Sequence, residues 1–128
     1  SKDYNTFELQ KALGFKDILK VNRIINNFAH NPKANAFPTI ISVLFSYFFK
    51  IYKLHSEQLT SDGEIAASLK IAPIFAKEYM RAKNNYSVRK IEQIFSILRT
   101  YDMKSKGWNS GSIDYEGLLR EMCFSILH

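Results

Sequence analysis

The chain is poor in residues that stop or bend a backbone. Its 128 residues include only 5 Gly and 3 Pro, and alternating apolar and polar runs are scarce. That excludes a turn-rich barrel or sandwich and favours an all-α fold. A single cysteine, Cys123, excludes an internal disulfide framework and fits a reducing compartment, the cytoplasm. No Gly-rich phosphate loop is present, and no His, Cys, Asp or Glu set has metal-ligand spacing. His30, His55 and His128 are scattered at or near helix ends, where surface or capping roles suit them. No paired acid and base or activated nucleophile emerges, so neither catalysis nor a cofactor is expected. No signal peptide is visible. The one membrane-like run, Phe37 to Phe49, falls short of the roughly 20 apolar residues that span a bilayer and reads as a buried helix.

What is present is apolar periodicity. Hydrophobic residues make up 46% of the chain, enough for one globular domain over residues 1–128 with a real core. The opening Ser1-Lys2-Asp3, without an initiator Met, suggests a domain of a longer protein. The spacing predicts a compact bundle of six to seven helices. The first runs from about Thr6 to Leu13, opening with Asn5 and Glu8 at capping spacing and stopping at Gly14. The second, about Lys16 to Ala29, has one face of Ile18, Val21, Ile24, Ile25 and Phe28. The third extends from about Pro38 to Glu57. The sixth, about Ser87 to Lys106, offers Val88, Ile91, Ile94, Phe95, Leu98 and Tyr101, with Gly107 as its stop. The seventh, about Asp114 to Leu127, packs Tyr115, Leu118, Leu119, Met122 and Ile126, and Cys123 fits there as a small buried hydrophobe.

Between the third and sixth helices lies SDGEIAASLKIAPIFAKEYMRAKNNYS, Ser61 to Ser87. Ser61 and Glu64 have capping-box spacing. Ile65, Ala66 and Leu69 follow at helical spacing. Pro73 suits the first turn of the next helix, and Phe75, Ala76, Tyr79 and Met80 give it an apolar stripe. Small Ala66 and Ala67 would let two helices approach closely. Two readings are open. One is a helix-turn-helix over residues 61–84 that reads DNA, with Pro73 to Arg81 as recognition helix; the other is a structural corner. Lys70 stands where a helix-turn-helix usually has Gly, which favours the corner.

Two further features point outward. The third helix is apolar nearly all round, so its surplus aromatics Phe45, Phe48, Phe49 and Tyr52 are candidates for contact with another subunit. The segment from Lys77 to Lys106 holds eight basic and three acidic residues, so nearly all of the net charge of +6 lies there. Lys77, Arg81, Lys83, Arg89, Lys90, Arg99, Lys104 and Lys106 are either a strip for nucleic-acid phosphates or a solvated face. Asp102, four residues before Lys106, fits a helical ion pair.

In order, YNTFEL, LKVNRIINNF, ISVLFSYFFKIY, IAASLKIAPIFAKEYMRAKNNYS, SILRTYDMKSKG and LLREMCFSIL resemble the C-terminal domain of the delta subunit of the bacterial DNA polymerase III clamp loader. The resemblance covers essentially the whole chain. It implies a non-catalytic helical collar module within a DNA-directed DNA polymerase holoenzyme. Such a module assembles with gamma/tau and delta-prime type subunits in a five-membered ring, while other subunits bind ATP. It implies DNA contact only through the complex or through weak electrostatics, no membrane partner, and a hairpin that belongs to the collar's own packing.

Overall fold

In the computed structural model, residues 3–128 are described; Ser1 and Lys2, where the chain opens, lie outside the described residues. The helices are α1 (Thr6–Gly14), α2 (Ile18–Ala29), α3 (Phe37–Ser56), α4 (Asp62–Leu69), α5 (Ala76–Asn85), α6 (Val88–Ser105) and α7 (Tyr115–Leu127). A single 3-10 turn, Pro73–Phe75, precedes α5. Side-chain caps explain most of the starts. Asn5 with Glu8 and Ser61 with Glu64 form reciprocal capping boxes. Asp17, Ser87 and Asp114 accept from the backbone N–H groups of Lys20, Lys90 and Gly117. The Thr60 and Ser61 N–H groups hold the Glu64 carboxyl below its usual range.

The central element is α3. Ile40, Leu44, Tyr47, Phe48, Ile51 and Leu54 are buried along it, facing α6 most extensively and also α1 and α5. By length and composition alone this 20-residue helix could cross a membrane; in the fold those six side chains lie inside the protein. α7 closes the bundle by packing on α2 and α6. Cys123 is buried on α7, and that burial pushes its thiol up to about 12.

Three expectations are corrected. Gly14 does not simply stop α1. It lies inside the helix, buried, and a Cβ there would overlap the Tyr47 hydroxyl and stand 3.1 Å from the Ala82 Cβ. Its smallness lets α1 approach α3 and α5. Ala67 faces solvent, so Ala66 alone gives α4 its close approach. Phe48 is fully buried and edge-on to Tyr86, at 5.2 Å between ring centroids. It belongs to the core and offers nothing to a partner.

The corner at Ser61–Ser87 is tied inward. Lys70 adopts the left-handed conformation, φ 56°, that Gly would otherwise supply. From the corner's far end, Tyr86 Oη donates to the Leu13 carbonyl at 2.6 Å, and Asn85 Nδ2 donates to the Gly14 carbonyl at 2.9 Å. His55 Nε2 lies 2.7 Å from the Tyr86 carbonyl.

Candidate functional site

α3 and α6 run antiparallel, which follows from their paired contacts: Tyr52 with Glu92, at 3.2 Å, and Phe45 with Phe95. Their open side carries an aromatic series. Phe45 lies 5.1 Å from Phe95 and 6.4 Å from Phe49, and Phe95 lies 5.7 Å from Tyr52. Phe45 is 48% exposed and Phe49 52%. Tyr52 and Phe95 are half-buried. The i,i+4 spacing puts Phe45 and Phe49 on one side of the helix, while Phe48, one residue or about 100° away, turns into the core. Of the four contact candidates, the fold brings Phe45, Phe49 and Tyr52 to one surface.

A groove of about 690 Å³ continues this seam. Pro38, Ile41 and Phe45 of α3 face Phe95 and Leu98 of α6 across it. Its polar end is made by Arg99, Asp102 and Lys106, about one to three turns on from Phe95. Lys106 Nζ pairs with Asp102 Oδ2 at 3.2 Å, the i,i+4 pair expected from the sequence. Arg99 is exposed and has no hydrogen-bond or ion-pair partner among the described residues. The groove is therefore apolar at one end and carries an uncompensated cation at the other. Sequence periodicity assigned Phe95 to the core and Arg99 to a basic strip; it could not place both on the rim facing Phe45.

A second groove, about 550 Å³, lies between α1, α3 and the 3-10 turn, with Phe7 and Phe75 exposed at its lips. Both of its lysines have partners within the fold. Lys11 pairs with Glu78 at 2.7 Å, and Lys50 Nζ donates to Ser46 Oγ at 2.8 Å.

Several of the basic residues are engaged in local contacts. Lys77 pairs with Asp62 of α4 at 2.6 Å. The Arg81 guanidinium stacks over Phe15, 4.0 Å from the ring centre. Lys90 donates to the Ser125 carbonyl in the last turn of α7; burial, then the nearby Lys16, lowers its pKa. Lys104 lies over Tyr101 at 5.0 Å. Lys83 is half-buried and Arg89 exposed. From Arg89 to Lys104 is about 22 Å along the helix axis. The DNA-reading version of the corner finds little in α5. Ala76, Tyr79 and Ala82 are buried, and the turn leading into it exposes Ile74 and Phe75, apolar side chains unsuited to the donor and acceptor pattern of base edges.

Residues 3–125 match the family model described as DNA polymerase III delta subunit, C-terminal domain. The chain belongs to that family. A delta C-terminal domain is a non-catalytic part of a clamp-loader subunit, and such subunits work with other loader subunits. Neither the curated proteins nor the solved structures give a match to the chain. For this delta domain, a surface that holds other proteins is the relevant kind of site, and the α3–α6 seam has the exposed aromatic character of one.

Proposed function

We propose that this domain is the collar module of a clamp-loader delta subunit. It packs against equivalent domains of gamma/tau and delta-prime type subunits in a five-membered ring, in the cytoplasm. Its role is geometric. The collar holds the subunits in one assembly, so that ATP-driven motions elsewhere act together on the sliding clamp during replication. It binds no nucleotide itself and meets DNA only through the complex.

The observation that carries this reading is the family match across residues 3–125. The open aromatic seam formed by Phe45, Phe49, Tyr52 and Phe95 supports it as a surface made for another protein. The test is reconstitution. The parent delta subunit, mixed with its gamma/tau and delta-prime type partners, sediments as a defined complex. The same subunit without this domain sediments alone. Full assembly of the truncated subunit would refute the collar role.

A further inference from the structure

The α3–α6 groove has a direction. Phe45 and Phe95 make its apolar end, and the unpaired Arg99 lies one turn farther along α6, with the Asp102–Lys106 pair beyond. Because Asp102 is matched by Lys106, Arg99 leaves the polar end net positive. An occupant satisfies both ends only if it brings an apolar side chain and a carboxylate about one helical turn apart. Resting on the collar reading, the geometry points to one occupant: an amphipathic helix of a neighbouring clamp-loader subunit. Its apolar side chain sits over Phe45 and Phe95, and an acidic residue three or four positions away pairs with Arg99. Helices laid in grooves read i, i+3 and i+4 anchors in this way. Arg suits the acidic partner because its planar fork donates two parallel hydrogen bonds to a carboxylate. In the second groove, by the Phe7 and Phe75 lips, both lysines already have partners: Lys11 pairs with Glu78, and Lys50 is hydrogen-bonded to Ser46 of its own helix.

The experiment measures the affinity of the full-length delta subunit for purified gamma/tau-type subunit, with Arg99→Glu, Phe45→Ala and Leu19→Ala variants. Arg99 is exposed and Phe45 half-exposed, so folded content and thermal midpoint are first checked by circular dichroism. Arg99→Glu and Phe45→Ala are expected to weaken the complex by about tenfold or more each, the range of central interface anchors. Leu19→Ala, on α2 away from the seam and 72% exposed, is expected to change it less than about threefold. The wild-type affinity falls as salt is raised, and Arg99→Glu flattens that slope. Wild-type affinity for Arg99→Glu and Phe45→Ala would overturn the groove assignment and leave the collar reading standing. Failure of the wild-type subunit to bind would overturn both. Two other results would also overturn the assignment. In one, Arg99→Glu loses binding to a labelled primer–template junction while subunit affinity holds, which favours nucleic acid. In the other, the chain dimerises alone and Phe45→Ala abolishes it, which favours a second copy.

Discussion

The corner at Ser61–Ser87 and the seam between α3 and α6 differ in where their information lies. The corner has the strongest local signals in the chain: a capping box, a Pro in the following turn, and helical spacing on both sides. Most of its side chains are then used internally, with Ile74 and Phe75 left exposed. Lys77 is held by Asp62, Tyr79 and Ala82 enter the core, and Tyr86 and Asn85 reach the end of α1. The seam has no comparable motif, yet it keeps two half-exposed phenylalanines and an unpaired arginine. Strong local grammar marks structure that has already been satisfied. Capacity for a partner is carried by side chains that the fold leaves unsatisfied.

Substitutions can break or sharpen that contrast. The largest effect belongs to the buried side of the seam. Phe48→Ala removes a fully buried ring and is expected to cost about 3–5 kcal/mol in denaturant unfolding. Next comes the corner's anchor. Tyr86→Phe removes one of the two hydrogen bonds to the Leu13 carbonyl, which keeps the Lys16 N–H, at up to about 1.5 kcal/mol by the same assay. The Ser61 cap is smaller: Ser61→Ala is expected to lower stability by about 1 kcal/mol, read as a shift in thermal midpoint. Lys70→Gly is expected to raise stability by up to about 1 kcal/mol, because glycine takes the left-handed conformation without the Cβ cost. The smallest change is on the open side of the seam, where Phe49→Ala should stay within about 0.5 kcal/mol. A Phe49→Ala cost as large as that of Phe48→Ala would erase the distinction between the two sides of α3.

The helices were largely legible because their signals are local. Asn5, Ser61 and the apolar periodicity lie within a turn or two of what they determine. Asp17 escaped notice as a cap because the apolar face of α2 begins with Ile18, and Lys16, expected inside the helix, takes a left-handed conformation just before it. Gly14 was read as a stop because its real constraint, Tyr47, is more than thirty residues away. The seam was half legible. A surplus of aromatics on the third helix indicated that some must face outward, and i,i+4 spacing would have separated Phe45 and Phe49 from Phe48. The partnership of Phe45 with Phe95 and the isolation of Arg99 depend on which helices meet. Periodicity within one helix carries no record of that.

The hydrogen bond from Tyr86 to Leu13 joins residues 73 positions apart. It therefore gives the domain a schedule. At a synthesis rate of about 5–20 residues per second, the end of α1 waits roughly 4–15 s before its partner has even been made. For most of that time Leu9, Ala12 and Leu13, all buried in the finished fold, can rest on α2 and α3 but not yet on α5. The first helix of the domain is thus among the last to be fully secured, and a nascent chain cut short before Ala76 would leave uncovered the part of that apolar face that meets α5.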